Sequence, residues 1–157
     1  MIPGEFHLVE FNNQNAKECV AFMHNTIKVC YPEIYAPEVI EFFLDYHTEK
    51  ALKKKSKKGK IFLLYKDNLI VASGYLYKRE VGGVYVHPDF QRQGIGKIIV
   101  GEILNLARSM NFDHVWLDST PIAFNFYKSM GFTLTEERTD YVNKSVPLHY
   151  YRMFLKL

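Results

Sequence analysis

Two glycines at the start of an apolar helix constrain this chain more than any other short segment. The segment QRQGIGK, residues 91–97, follows a predicted strand at 84–86 and opens an apolar run whose helical spacing extends from 95 to 110. Glycine disfavours helix, so a pair of glycines here indicates that backbone without side chains is needed. Free N–H groups at the positive end of a helix dipole form a nest that can bind phosphate.

Two common phosphate-binding patterns do not match this segment. A P-loop needs glycine, and Ser or Thr, where this chain has Gln91 and Ile98. A dinucleotide fingerprint needs a small residue at Ile99 and the first strand of a βαβ unit, whereas a hairpin precedes this strand. A helix that merely begins with a flexible turn is the alternative to a phosphate nest. We expect alanine at Gly96 to be tolerated, because alanine fits helical geometry.

Hydrophobic periodicity predicts one α/β domain over residues 1–157, with the order β-α-α-β-β-β-α-β-α-β-β. The predicted strands are 5–11, 61–65, 69–77, 84–86, 114–119 and a closing pair, FTLTEER and HYYRMFLKL; the helices are 14–29, one from Pro37 to the lysine-rich segment, 95–110 and 121–130. Residues 66–68 predict a hairpin turn, and Gly82-Gly83 predicts a bulge or a splayed edge. We expect Asn111 to end the third helix in a left-handed conformation.

Charge and composition exclude several classes of protein. The net charge of +3 and the sequence pI near 8.7 suit a small anionic ligand but are too weak to indicate nucleic acid. No apolar run approaches the length of a membrane span, and the N-terminus lacks a signal-peptide pattern. Cys19 and Cys30 are too few for a disulfide framework and lack metal-ligand spacing, so no metal is predicted. We expect a reduced, cytoplasmic protein without a membrane partner.

A run of lysines stands apart from the otherwise even charge distribution. Its members are Lys53, Lys54, Lys55, Lys57, Lys58 and Lys60. A solvated basic surface is the simplest interpretation, and a landing patch for a polyanion is the alternative. A nucleic-acid-binding domain built on these lysines would bind in a salt-sensitive way and would not need Gly94 or Gly96.

Two motifs in the right order resemble the GCN5-related N-acetyltransferase (GNAT) family. The segment VYVHPDFQRQGIGK resembles the family's acetyl-CoA pyrophosphate loop, Q/R-x-x-G-x-G/A, and AFNFYKSMGF, residues 123–132, resembles its second signature. The resemblance implies a mixed, mostly antiparallel twisted sheet of about seven strands flanked by about four helices. It also implies acetyl-CoA as cosubstrate, a primary amine as acceptor, and compatibility with a homodimer.

The resemblance assigns the cofactor to the glycine loop and the strand before it. Backbone N–H groups of residues 92–97 would hold the pyrophosphate, and the Val86 N–H would contact the thioester oxygen. Thr120 stands where the family often has an asparagine toward the pantetheine arm, and Asn125 lies nearby at a different angle on the helix. The implied cofactor-binding residues are Val84, Tyr85, Val86, Gln91, Arg92, Gln93, Gly94, Ile95, Gly96, Lys97, Thr120, Asn125 and Tyr127.

Direct acetyl transfer needs a proton for the leaving thiolate and a route for the amine proton. Tyr127, the motif tyrosine, is the implied general acid, and a core tyrosine with a hydrated hydroxyl is the alternative. Glu80 and Asp118 are candidate general bases acting through water, and an ordinary solvated acid is the alternative for each. His87 precedes a proline and is interpreted as a turn residue. Neither cysteine lies near the two motifs in the predicted order, so no covalent enzyme intermediate is expected.

The nature of the acceptor stays open at this point. In the family it lies between the first two helices and the last strand pair, where this chain is rich in aromatic residues: Tyr31, Tyr35, Phe42, Phe43, Tyr46, Tyr141, His149, Tyr150 and Tyr151. Such a wall would suit an amine with an apolar body, and Glu33, Glu38 or Glu41 could attract a cation. Packing alone would explain the same residues. The competing function is a regulatory module that binds acyl-CoA without turnover.

Overall fold

The computed structural model describes residues 2–157, which form seven strands and five α-helices. The strands are β1 (Phe6–Glu10), β2 (Gly59–Lys66), β3 (Leu69–Tyr77), β4 (Glu80–Val86), β5 (His114–Ser119), β6 (Thr133–Val142) and β7 (Val146–Lys156). The helices are α1 (Ala16–Cys30), α2 (Pro37–Tyr46), α3 (Glu49–Ser56), α4 (Ile95–Ser109) and α5 (Phe124–Ser129), and a short 3₁₀ turn covers Pro88–Phe90. The predicted fold class is confirmed.

All strands belong to one mixed sheet with the order β1-β2-β3-β4-β5-β7-β6. Neighbouring strands are antiparallel except β4 and β5, which are parallel and lie in the middle of the sheet. Buried side chains of α4 and α5 pack on one face of the sheet, and those of α1 and α3 pack on the other. Burial on both faces explains why β3, an inner strand, is apolar along almost its whole length.

The β3–β4 hairpin contains the irregularity that Gly82-Gly83 predicted. The strand register shifts between Ser73 and Tyr75, and Gly83 has a positive φ of 58°. A Cβ atom at Gly82 or at Gly83 would lie 2.5 Å from the ring of Tyr75. The two glycines therefore let an aromatic ring lie flat against the backbone of β4.

The second predicted helix is in fact two helices, so five helices replace the expected four. His24 Nε2 lies 3.0 Å from the carbonyl oxygen of Leu44 and 2.7 Å from that of His47, and it donates to these carbonyls at the end of α2. Thr48 then caps α3, because its hydroxyl accepts the N–H of Ala51 at 3.1 Å. The contact with α1 interrupts the helix, and sequence periodicity does not record such a contact.

Other boundaries agree closely with expectation. Asn111 has a φ of 58° and follows α4 in the predicted left-handed conformation. Asp67, with a φ of 53°, turns the β2–β3 hairpin. Cys19 is buried, Cys30 is half-buried, and both are free thiols. Among residues 2–157, no helix is both long enough and apolar enough to cross a membrane.

Candidate active site

A wedge between β4 and β5 forms the centre of the candidate site. The two parallel strands share a register pair only at Glu80 and Trp116 within the described chain, where the Trp116 N–H donates to the Arg79 carbonyl at 3.0 Å. Beyond that pair β4 continues to Val86 and β5 to Ser119 without further pairing. The strands therefore diverge and leave the facing edge of β4 open to a ligand.

The backbone of Val86 is directed into this wedge. The next residue, His87, donates its N–H to the Val71 carbonyl of β3 at 2.8 Å. Because successive residues of a strand direct their N–H groups to opposite edges, the Val86 N–H faces away from β3. The Val86 carbonyl shares that direction and accepts the Gln91 side-chain amide at 3.2 Å. Val86 can thus donate a hydrogen bond to an oxygen placed between β4 and β5.

The loop after β4 presents an uninterrupted set of unpaired backbone donors. The six N–H groups of residues 92–97 donate to no acceptor in the described part of the protein, and the first helical bond of this segment is Ile98 N–H to Gly94 O at 3.3 Å. Arg92 and Gly94 adopt left-handed φ values of 62° and 81°. When residues with left-handed and right-handed backbone conformations alternate, neighbouring N–H groups converge on one point. The dipole of α4 adds positive potential at that point.

The two glycines of the loop have different physical roles. At Gly94 a Cβ would meet nothing within 4 Å, so its φ of 81° is what favours glycine. At Gly96 a Cβ would lie 3.1 Å from the ring of Phe126 and 3.7 Å from Val86. The expectation that alanine fits at position 96 considered only the helix and omitted Phe126, whose ring would have to move. Gly96 allows α4 to pack closely against α5.

Tyr127 lies on α5 beside the wedge and is 7% exposed. Its ring makes edge contacts with Phe126 and Phe132, at centroid distances of 5.1 and 5.8 Å. Burial, together with the neighbouring Tyr31, raises the pKa of the Tyr127 hydroxyl, which therefore keeps its proton at neutral pH. Within residues 2–157 this hydroxyl makes no hydrogen bond, so its proton is available to a ligand.

The two candidate bases lie in different environments. Both oxygens of Asp118 accept hydrogen bonds from the Arg152 guanidinium, at 2.8 and 2.9 Å. Glu80 is half-buried and forms no ion pair or hydrogen bond with a described residue. Burial raises the pKa of the Glu80 carboxyl, and Lys55 partly opposes that shift. The geometry therefore favours Glu80, with free oxygens and increased proton affinity, as the base.

Two of the implied cofactor residues have a local structural contact, and a third is exposed. The Tyr85 side chain is buried on the α1 face of the sheet and its hydroxyl lies 2.9 Å from His47 Nε2, so only its backbone can border the wedge. The Thr120 hydroxyl accepts the Ala123 N–H at 3.3 Å where α5 begins, and its own hydrogen stays free. Asn125 is exposed on α5.

One expectation about the cysteines is wrong. Cys30 ends α1, and its sulfur accepts a hydrogen bond of 3.3 Å from the side-chain amide of Gln91, the first residue of the glycine motif. Because α1 packs across the sheet face beside β4, the last turn of α1 reaches this loop. Cys30 therefore lies beside the first motif, although 61 residues separate it from Gln91. His87 is a turn residue as interpreted: its Nδ1 accepts the Asp89 N–H at 3.1 Å.

The aromatic wall divides into a packed part and an open part. Tyr31, Tyr35 and Phe43 contact one another at centroid distances of 5.2 to 5.5 Å and fill the space between α1 and α2. Phe42 and Tyr46 are 40% and 47% exposed on the outer side of α2. Packing thus explains the first group, while the second is free to contact an acceptor.

Sequence reasoning treated the lysine run as uniform, but Lys55 differs from its neighbours. Its ammonium lies 3.8 Å from the centroid of the Tyr75 ring, whereas the adjacent Lys54 is exposed. A signal was present, since Lys55 follows the buried Leu52 by three residues and shares its helix face. The lysine run lies near Gly59, which pairs with Tyr77 at the Glu80 end of β4. It is therefore roughly 20 Å along the strand from the glycine loop.

Comparison with known proteins identifies the fold and the family. A model of the acetyltransferase (GNAT) domain matches residues 31–155. An uncharacterised N-acetyltransferase, ycf52, of Gracilaria tenuistipitata var. liui is 36% identical over 56 residues, which are 36% of this chain and 31% of that protein. The chain thus spans about a third of the length of the first curated relatives it matches.

Solved structures share the fold over the whole chain. A GCN5-related N-acetyltransferase from Rhodopseudomonas palustris superposes with a TM-score of 0.88 at 18% identity, covering 100% of this chain and 99% of that one. The PaiA N-acetyltransferase of Thermoplasma acidophilum, solved in complex with coenzyme A, has a TM-score of 0.80 at 16% identity, covering 97% of this chain and 99% of that one. At such identities the likeness concerns the fold alone.

Proposed function

The chain belongs to the GNAT acetyltransferase family, and we propose that it is an acetyl-CoA-dependent N-acetyltransferase that acts on a primary amine by direct attack. The observation that carries the proposal is a pair of donor groups on one short segment: the six unpaired N–H groups of residues 92–97 and the wedge-facing N–H of Val86. One segment can thus contact both the phosphate end and the thioester end of acetyl-CoA. Residues 1–157 would form one N-acetyltransferase domain.

The cofactor fits the groups that the chain provides. Donors at residues 92–97, with the charges of Arg92 and Lys97, would hold the pyrophosphate. The edge of β4 at residues 84–86 would border the pantetheine, since no strand pairs with it there. Acetyl-CoA supplies the activated acetyl group, and the protein supplies position and electrostatic stabilisation.

Three groups of the chain would manage charge and protons during transfer. The Val86 N–H donates to the thioester oxygen as negative charge develops on it. Glu80 accepts the amine proton through a chain of water molecules along β4, because its carboxylate has no protein partner and burial raises its pKa. Tyr127 donates its hydroxyl proton to the departing thiolate, because its raised pKa keeps that proton in place. Neither cysteine takes part in this scheme, which needs no covalent enzyme intermediate.

Two measurements on the purified protein test this function. Thermal shift and calorimetric titration with acetyl-CoA report binding, and thiol release during incubation with a panel of primary amines reports turnover. We expect both signals. Binding without thiol release on any amine would instead support the non-catalytic acyl-CoA-binding module, and absence of binding would contradict both functions.

A further inference from the structure

The ammonium group of Lys55 lies in a cage of tyrosine rings. Its Nζ is 3.8 Å from the ring centroid of Tyr75, 5.2 Å from that of Tyr46 and 5.6 Å from that of Tyr77. Aromatic faces attract a cation at such distances, most strongly where water is partly excluded. Lys55 is half-buried, and it forms no ion pair with a described carboxylate. One tyrosine of α2 and two of β3 thus surround the ammonium of a lysine of α3.

This cage adjoins the Glu80 end of the wedge. The Tyr75 ring lies against Gly82 and Gly83, where β4 begins to separate from β5. The charge of Glu80 acts on both Lys55 and the Tyr75 hydroxyl, so the favoured base lies at the same place. A surface hollow of about 470 Å³, lined in part by Tyr77, Glu80 and Trp116, opens at this end. An acceptor amine would need this combination of cation site, base and access.

We infer that Lys55 occupies the position of the acceptor ammonium in the free protein and that the enzyme acetylates this lysine on its own chain. The inference rests on the proposed function and adds a modification site to it. The ring contact made by Lys55 lies within its own chain, so the reaction is expected within one molecule. The reaction requires the flexible four-carbon side chain to carry the amine from the Tyr75 ring along β4 to the thioester.

The step balances without any further reagent. Neutral Lys55 Nζ attacks the thioester carbonyl carbon, an amide C–N bond forms, and the C–S bond breaks. The amine loses one proton to Glu80 through water, and the thiolate takes one proton from Tyr127, so the products are acetyl-lysine and coenzyme A. Burial lowers the pKa of the Lys55 ammonium, which increases the fraction of neutral amine.

The other lysines of the run provide matched controls. Lys54 is adjacent in sequence and exposed, and Lys53 pairs with Glu49 at 3.8 Å. Neither contacts the cage. Exposure favours non-enzymatic acetylation of Lys54, whereas the lowered pKa favours that of Lys55, so labelling by a small thioester that lacks the pyrophosphate supplies the non-enzymatic ratio of the two lysines.

The experiment incubates the purified protein with acetyl-CoA alone and maps acetyl-lysine by mass spectrometry. We expect initial acetylation of Lys55 to exceed that of Lys54 at least about tenfold, with a first-order rate that does not change with protein concentration. Tyr127→Phe should slow Lys55 labelling by the factor by which it slows amine turnover, whereas Lys54→Arg should leave it unchanged. Lys55→Arg should remove the label without moving it to Lys54.

Other outcomes would overturn the inference. Equal labelling of Lys55 and Lys54 would do so, as would a Lys55 rate that rises with protein concentration. S-acetyl-N-acetylcysteamine is a thioester without the pyrophosphate. If it labels Lys55 at the same rate and with the same preference over Lys54 as acetyl-CoA does, the modification is non-enzymatic. If acetyl-CoA binds and external amines are acetylated while Lys55 stays unmodified, the inference fails and the proposed function stands. If acetyl-CoA does not bind, both fail.

Discussion

The two ends of β4 build their halves of the site in opposite ways. The cofactor end is one continuous stretch, residues 84–97, and its donors are backbone N–H groups. The acceptor end collects side chains from many elements: Tyr46 of α2, Lys55 of α3, Tyr75 of β3, Glu80 of β4, Asp118 of β5 and Arg152 of β7. The two ends, Glu80 and Val86, lie about 20 Å apart along β4.

The difference determines what each end is sensitive to. Backbone N–H donors do not titrate at any ordinary pH. Such a site is disturbed by a substitution of glycine that strains the backbone or that adds a Cβ atom where the ligand or a neighbouring side chain lies. A side-chain site changes with each substitution and with each proton that its members gain or lose. Substitutions at the two ends should therefore differ in their effects on catalysis, on pH dependence and on cofactor affinity.

Tyr127 of α5 is the proposed proton donor, and its substitution tests whether the two ends act together. We expect Tyr127→Phe to lower kcat by about 100-fold, because the ring keeps its packing but the proton donor is lost. Acetyl-CoA affinity should change less than about twofold, since the cofactor end uses backbone donors. Steady-state kinetics and calorimetry check the two expectations. A kcat within about threefold of the parent would remove Tyr127 from the mechanism.

At the acceptor end, replacing each candidate carboxylate by its amide, in Glu80→Gln and in Asp118→Asn, distinguishes which one is the base. Burial raises the pKa of Glu80, so the parent should lose activity as pH falls through that raised value and the base becomes protonated. Glu80→Gln should remove this acidic limb from the profile of kcat/KM against pH and lower its plateau by about 50-fold. Asp118→Asn, which only weakens the Arg152 pair, should keep the limb. A flattened limb in Asp118→Asn alone would reverse the assignment.

His47 makes the stability of the acceptor end depend on pH. Burial lowers the pKa of His47 from 6.5 to about 3, with Lys55 and His24 contributing. Between those two pH values the histidine is protonated in the unfolded chain and neutral in the folded protein, so falling pH favours unfolding. Between pH 7 and pH 5 this group should cost about 2 kcal/mol of unfolding free energy. Urea titrations should show that this part of the loss disappears in His47→Gln.

An exposed histidine supplies the control for that measurement. His7 lies on the outer face of β1, so His7→Gln should retain the parent's loss of stability between pH 7 and pH 5. If His47→Gln also retained it in full, a different group would carry the pH dependence. The cofactor end contains no comparable buried histidine among residues 84–97.

The smallest effect isolates charge at the cofactor end. Asn and Asp would bear the same backbone strain at the φ of 81° found at Gly94, and a Cβ atom there meets no protein atom within 4 Å, so the two variants differ chiefly in charge. Gly94→Asp should bind acetyl-CoA about tenfold more weakly than Gly94→Asn, because only the carboxylate repels phosphate. The difference in acetyl-CoA affinity between the two variants should become smaller at high salt, because ions screen the repulsion. Equal affinities of the two variants would show that no phosphate approaches this loop.

Much of the fold was predictable because its signals are local. The strands at 69–77 and 114–119 have the predicted bounds, and α4 begins at the predicted Ile95. Each is a run whose apolar spacing and flanking turn residues are contiguous in sequence. The glycine loop belongs to the same category, since strand, turn and helix start lie within fifteen residues.

The failures share one physical cause. The break between α2 and α3 depends on His24 of α1, and the proximity of Cys30 to Gln91 depends on how α1 crosses the sheet. Asp118 and Glu80 looked alike in sequence until Arg152 of β7 was seen to pair with only one of them. In each case the deciding partner lies at least 20 residues away along the chain.

The sequence by itself determined the family, the sheet-and-helix order and the segment proposed to hold the cofactor, because a backbone nest needs only a local pattern of turn, glycine and helix start. The tertiary structure alone decided the acceptor end: which tyrosines are packed and which are open, which carboxylate is free, and which of six similar lysines turns inward. Side-chain sites depend on distances between segments, and those distances exist only after the sheet has brought β3, β4, β5 and β7 together.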